Sequence, residues 1–252
     1  MKTSTEHALA KVPEVTLGFW LIKIAATTLG ETGGDAVSMS MNLGYLVGTA
    51  IFAAIFLAAV VAQVKAKDFH PFLYWTTIIA TTTVGTTLAD FADRSLGIGY
   101  AGGSSLLLAL LLGSLFVWHR TLGSVSVSTV SSPKAEAFYW LTIMFSQTLG
   151  TALGDWTADT AGLGYTGAAV VFGGLLALVV AAYYWTSVSR TLLFWAAFIL
   201  TRPLGAVVGD FLDKPVSAGG LALSRYSASA ALLTFIVVAI LLFRQRAART
   251  AH

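Results

Sequence analysis

The sequence predicts an all-α integral membrane protein, with eight transmembrane helices arranged as four two-span repeats in two parallel four-span halves. Three observations carry this expectation: the composition, the spacing of the apolar runs and an internal repeat. Of 252 residues, 56% are apolar and only 11% charged, and the mean hydropathy is +0.79. Soluble domains carry about 25% charged residues, so a soluble enzyme, a disordered chain and a nucleic-acid binder are excluded. Cysteine is absent, which excludes a disulfide scaffold.

The apolar runs follow in order. The polar start MKTSTEHALAKV lacks the pattern of a signal peptide. Spans are then expected at 14–34, 43–64, 71–89, 96–118, 135–154, 163–187, 191–209 and 226–243. Each approaches the ~20 residues that a helix needs to cross a bilayer core. The alternating pattern of a membrane β-barrel is missing. The chain divides into an N-terminal tail (1–13), a first four-span half (14–120), a linker (121–136), a second half (137–243) and a basic tail (244–252). With eight spans, Lys2, Lys11, Lys65, Lys67, Arg120, Lys134, Arg190, Arg244, Arg246 and Arg249 share one side, against Arg94, Lys214 and Arg225 on the other. The positive-inside rule then places both termini and the linker in the cytoplasm.

The repeat is read directly from the residues. Trp20, Trp75, Trp140 and Trp195 each follow an aromatic residue: Phe19, Tyr74, Tyr139 and Phe194. Ten residues after each Trp stands Gly30, Gly85, Gly150 or Gly205, and five further on stands Asp35, Asp90, Asp155 or Asp210. The residue before each aspartate is small (Gly34, Ala89, Gly154, Gly209). Three repeats close with Gly-Tyr, and the fourth carries an insertion around Pro215. Repeats 2 and 4 also share Asp90-Phe91-Ala92-Asp93-Arg94 and Asp210-Phe211-Leu212-Asp213-Lys214. A shift of 120 residues maps Trp20 on Trp140 and Trp75 on Trp195, so the halves are expected to be related by a pseudo-two-fold axis along the membrane normal.

This tandem pattern of aromatic-Trp starts and Gly-x3-small-Asp blocks resembles a family of bacterial four-repeat membrane proteins of unknown function. The resemblance covers about residues 18 to 245 and implies a multi-pass protein of the bacterial cytoplasmic (inner) membrane. It implies no activity.

Eight of the twelve acidic residues lie in the repeat blocks: Glu31, Asp35, Asp90, Asp93, Asp155, Asp159, Asp210 and Asp213. Their spacings of three and four place each pair on one helix face. The repulsion between them must be offset by a cation, a proton or a basic side chain. Each motif aspartate lies fifteen residues past its Trp, roughly 22 Å along a helix. Four such carboxylates facing lipid would cost about 10–14 kcal/mol at roughly 2.5–3.5 kcal/mol each, so they are expected to face the bundle interior or water. The spacing of Gly30/Gly34, Gly150/Gly154, Gly205/Gly209 and Gly85/Ala89 suits close packing of membrane helices. Pro203 is expected to kink its span.

Other polar residues supply a path or charge partners. Thr27, Thr82, Gln147 and Arg202 all stand seven residues after a Trp. Arg202 is deep enough to pair with a carboxylate, whereas Lys23 is expected to snorkel to the nearer surface. The four tryptophans are expected to be interface anchors, and most threonines to bond their own helix backbone. The histidines (His7, His70, His119, His252) fall in tails or at span ends, so a histidine metal site is not expected. Carboxylate and hydroxyl ligands suit a hard divalent cation, Mn²⁺, Mg²⁺ or Ca²⁺. No phosphate loop, dinucleotide fingerprint or nucleophile elbow appears, and no enzyme is expected. The function expected is secondary transport of a hard cation, exchanged for protons, through these carboxylates. A non-transporting scaffold is the alternative, and an intramembrane metal-dependent enzyme is a weaker one. The expected partners are the lipid bilayer and a cation or proton, with a homodimer compatible with the pattern.

Overall fold

The computed structural model describes residues 10–248. His7, His252, Lys2 and Arg249, used in the sequence reading, lie outside the described residues. All eight apolar runs are helices, with ends within about a turn of those expected: α1 (Leu17–Asp35), α2 (Gly44–Lys65), α3 (Pro71–Asp90), α4 (Tyr100–Leu122), α5 (Pro133–Asp155), α6 (Gly164–Trp185), α7 (Arg190–Asp213) and α8 (Arg225–Leu242). The Thr16 and Ser132 hydroxyls cap the starts of α1 and α5 by accepting from Phe19 N and Ala135 N. Pro71 and Pro133 open α3 and α5, where a missing N–H loses no partner.

The helix exits explain the repeat motif. In repeats 1 to 3 the motif aspartate is the last residue of its helix, and a single π-helical turn follows: Ala36–Ser40, Phe91–Ser95 and Trp156–Thr160. The chain then reverses through the Gly of Gly-Tyr. Gly44, Gly99 and Gly164 have φ of 76°, 77° and 63°, a left-handed backbone that a side chain would strain. Repeat 4 reverses differently. Here α7 continues to Asp213, and the inserted loop folds back so that Leu221 N and Leu223 N donate to Phe211 O and Leu212 O.

The helices form two concentric layers. Inside, α1 packs on α3, α3 on α5, α5 on α7, and α7 back on α1. Outside, α2 packs on α3, α4 on α5, α6 on α7 and α8 on α1. Each repeat therefore leans its second helix on the first helix of the next repeat, and α8 closes the circle. The pseudo-two-fold relation between halves is one operation of a cyclic, four-fold-like arrangement. The first and last described segments meet at the tryptophan end of the ring, where Pro13 and Ala247 form an antiparallel bridge.

Burial sorts the helices by composition. The outer helices are apolar on all faces and leave large side chains exposed, among them Leu57 on α2, Phe116 on α4, Val170 on α6 and Leu241 on α8. Such a helix belongs in lipid or in a large core, and the outer layer has no protein over it. Among the described residues five helices, α2, α4, α6, α7 and α8, are long and apolar enough to cross a membrane, which makes the chain a multi-pass membrane protein. The remaining three, α1, α3 and α5, carry the threonine-, glycine- and acid-rich faces that turn inward.

The tryptophans correct an expectation. Of the four motif tryptophans, Trp75, Trp140 and Trp195 are buried, so they are not surface anchors, and Trp20 alone is partly exposed. Each aromatic pair passes around the ring, with Phe19 against Trp75 (5.4 Å), Tyr74 against Trp140 (5.7 Å), Tyr139 against Trp195 (6.3 Å) and Phe194 against Trp20 (5.9 Å). A bond of 2.6 Å joins the Tyr74 and Tyr139 hydroxyls. Four aromatic contacts worth about 0.5–1.5 kcal/mol each thus close one end of the ring. Below them pack Val12, Val127 and Val130, and Lys11 pairs with Glu136 at 2.7 Å.

Candidate functional site

The motif glycines set the inner ring. A Cβ on Gly30 would land on the Thr82 side chain, and one on Gly150 on the Arg202 stem. At Gly85 it would lie 3.0 Å from the Gln147 backbone, and at Gly205 it would strike Thr27. Each first glycine therefore receives the residue seven past the Trp of the next repeat. The second small residue repeats the pattern four positions on: Gly34 faces Thr86, Gly154 faces Ala206 and Gly209 faces Glu31. Without side chains at these points the helices approach closely, and residues at +3, +7, +11 and +15 from each Trp stack as layers.

These layers are chemically distinct. The +3 layer holds Lys23, Ile78, Ile143 and Phe198, all fully buried. The +7 layer holds Thr27, Thr82, Gln147 and Arg202, all with 0% exposure. The +11 layer is Glu31, Thr86, Thr151 and Ala206. Arg202 lies on the axis: its Nη2 is within hydrogen-bond distance of Glu31 Oε2 on α1 (3.0 Å), Thr86 Oγ1 on α3 and Thr151 Oγ1 on α5, three acceptors sharing its two hydrogens. One guanidinium from α7 thereby ties the other three inner helices together. Thr86 also donates to Glu31 Oε2 at 3.3 Å.

The four motif aspartates form the +15 layer, and all four are buried. Glu31, Asp35 and Asp210 bring one carboxylate oxygen each to within 4.8 Å of one another, a spacing that suits a shared cation. Three basic residues enter from the loops beyond. Arg94 Nε lies 2.8 Å from Asp90, and its Nη2 lies 3.4 Å from Asp155 and 3.9 Å from Asp159. Lys214 Nζ contacts Asp35, and lies 2.9 Å from Asp210 and 3.9 Å from Asp213. Arg225 Nε lies 2.8 Å from Asp213 and 3.6 Å from Asp35. Burial opposes the Lys214 charge, but Asp210, Asp35 and Asp213 outweigh it and hold the ammonium protonated well beyond the usual lysine range.

The internal repeat also decides the family. A family model for a single repeat matches four consecutive segments, residues 18–69, 73–124, 138–189 and 193–248. The chain belongs to the family described as Repeat of Unknown Function (DUF347). No curated protein and no solved structure matches it. Each DUF347 unit here contributes one aromatic pair, one pair of small packing residues and one axial aspartate.

Against this geometry, the carboxylates named from the sequence divide into three groups. Glu31, Asp35 and Asp210 cluster as candidate ligands, with Asp213 joined to them through Lys214 and Arg225. Asp90 and Asp155 share Arg94 instead. Glu31, Asp93, Asp159 and Asp213, expected from the sequence as a second set of ligands beside the four motif aspartates, do not form a layer. Asp159 keeps a side chain 47% exposed, and Asp93 turns toward Gly103, with burial pushing its carboxyl up. Lys23 does not snorkel; it is fully buried, because its stem begins on the axial face of α1 rather than on the lipid face. Thr28, Thr81, Thr83 and Thr148 bond carbonyls of their own helices as expected. Arg94, Lys214 and Arg225 were read only as topology signals. The shared Asp-Phe-x-Asp-basic pattern held the missing cue, since Arg94 and Lys214 each stand four residues after a motif aspartate.

Proposed function

We propose that this protein is a transporter of the bacterial cytoplasmic membrane that exchanges protons for a hard cation such as Mn²⁺ or Mg²⁺. In this reading all eight helices span the bilayer, with the outer helices facing lipid and the tryptophan end and both termini in the cytoplasm. The bridge between Pro13 and Ala247 supports an even number of spans between those two residues. The observation that carries the reading is a charge imbalance. Six buried carboxylates, Glu31, Asp35, Asp90, Asp155, Asp210 and Asp213, face four basic side chains, Arg94, Arg202, Lys214 and Arg225. Each of these carboxylates touches a basic side chain, but the bases are shared, so the cluster keeps a net excess of two negative charges, and uncompensated charge at membrane depth requires a counter-charge. Protons or a divalent cation supply it.

Lys214 acts in this scheme as a tethered competitor. Its ammonium sits between Asp35 and Asp210, two of the three clustered ligands, and an arriving cation takes that place as the lysine withdraws. Oxygen ligands of this kind suit hard ions. The test has two stages. Purified protein is screened with Mn²⁺, Mg²⁺ and Ca²⁺ for a rise in thermal midpoint, since a ligand of the folded state stabilises it. Reconstituted vesicles then report ion flux, which Asp35→Asn and Asp210→Asn abolish in protein that still folds. A screen without stabilisation and vesicles without flux overturn the proposal. The second reading, a structural scaffold, is favoured by the axis, which Arg202 and the aromatic ring fill. It predicts that the same variants change stability with no flux to lose.

A further inference from the structure

Lys23 is the charged side chain that the carboxylate cluster leaves unused. Its ammonium is fully buried, 3.5 Å from Thr201 Oγ1 and 4.2 Å from the centre of the Phe198 ring. Among the described residues it forms no ion pair, while Arg202, the other cation on the axis, is paired with Glu31. An isolated buried ammonium in a membrane interior is strongly disfavoured. The bond to Thr201 lifts the Lys23 charge from the +3 layer toward the level of the +6 and +7 residues, where Ser146, Gln147, Thr82 and Arg202 stand. At that level several buried polar atoms have no hydrogen-bond partner: Ser146 Oγ, both amide atoms of Gln147, Thr82 Oγ1 and Arg202 Nε. Orphaned polar atoms are rare in folded proteins and mark an unseen partner. Most of these groups are donors. The layer beyond the unpaired Lys23 thus holds two hydroxyls, an amide NH₂ and the Arg202 Nε–H without partners.

We infer that the buried polar groups of Lys23, Ser146, Gln147, Thr82 and Arg202, between the +3 and +7 layers, bind one small inorganic anion, of the size of chloride. The apolar members of the +3 layer, Ile78, Ile143 and Phe198, stand toward the aromatic end, and the Arg202 guanidinium stands toward the aspartates. Because the side chains on both sides are fully buried, a compact ion fits the proposal and a bulky organic one does not. The anion supplies the counter-charge that Lys23 lacks and the acceptor that the donors lack. This site is separate from the carboxylate cluster, and its failure would leave the cation reading standing.

The experiment compares thermal unfolding of the full chain in detergent in chloride and in gluconate at one ionic strength. The expected result is a saturable rise in midpoint with chloride, roughly 5–10 °C at a hundredfold excess over Kd. Lys23→Met abolishes the difference between the two salts. Gln147→Leu, which keeps the lysine, weakens it. If neither variant folds, equilibrium dialysis of the unaltered protein with radioactive chloride decides: one ion per chain supports the site, and none overturns it. Equal midpoints in the two salts also overturn it, and assign the orphaned donors to water. A Lys23→Met variant that still responds to chloride overturns the assignment to these residues.

Discussion

Replacing Arg202 with methionine tests whether one guanidinium locks the inner ring. Methionine keeps the stem that packs on Gly150 and removes only the charge and its donors. Glu31 is then left buried without its cation, and Thr86 and Thr151 lose their shared donor. Removing one member of a buried ion pair costs about 3–5 kcal/mol. A chain of this size shifts its midpoint by about 2–4 °C per kcal/mol, so Arg202→Met is expected to lower it by roughly 6–20 °C. Glu31→Gln should fall in the same range, because it strands the guanidinium. The double variant Arg202→Met with Glu31→Gln removes both charges and is expected to recover most of the loss. The assay is thermal unfolding in detergent, followed by circular dichroism, for the four members of the cycle. Losses that simply add in the double variant would refute a direct coupling, and the axial lock with it.

Three further outcomes follow from the same geometry. Gly150→Ala places a methyl against the Arg202 stem and should cost about 1–3 kcal/mol by overpacking. Gly173→Ala, where nothing lies within 4 Å, should instead gain up to about 1 kcal/mol from helix propensity; thermal midpoints of the pair check the contrast. Lys214→Met vacates the space between Asp35 and Asp210 and should strengthen stabilisation by Mn²⁺ several-fold, measured as the concentration giving half the midpoint shift. Because Trp75, Trp140 and Trp195 are buried while Trp20 is partly exposed, Trp20→Phe should remove most of the acrylamide-quenchable fluorescence in detergent from a chain whose Trp118, Trp156 and Trp185 have already been replaced by Phe.

Much of the fold was legible because lipid imposes a simple length rule, and eight runs of the right length became eight helices. The repeat was equally legible, since the same small residues recur wherever two inner helices touch. Burial direction was harder to read. A Trp at the start of a span is commonly an anchor, yet here the preceding aromatic of the neighbouring repeat covers it, a pairing visible only once the ring closes. Lys23 shows the same limit. Sequence depth put it near a surface, but the side chain follows the +3 face of α1, which points to the axis. The identity of the carboxylate partners was half visible. Arg94 and Lys214 stand one helical turn past their aspartates, whereas the reach of Arg94 to Asp155 and of Lys214 to Asp35 crosses between repeats and depends on their circular order.

That circular order gives the departures from symmetry their meaning. Four identical repeats around an axis would place four equal residues in every layer and leave a polar tube along the centre. The +15 layer does keep its four aspartates. Deeper in, symmetry is broken where a large residue is needed on the axis: the +7 layer reads Thr, Thr, Gln, Arg, and the +11 layer reads Glu, Thr, Thr, Ala. The single Arg comes from repeat 4 and the single Glu from repeat 1, which are neighbours because α7 closes on α1. Their bond therefore spans the seam where the first repeat meets the last. Ala206 stands at +11 in the same helix as Arg202 and leaves room for the guanidinium to reach the +11 hydroxyls of α3 and α5. A tube that four-fold symmetry would open is thus filled by one pair placed at the chain's own closure. Any passage along the axis must break that pair, which makes Arg202 and Glu31 the point at which an open and a closed form of this ring would differ.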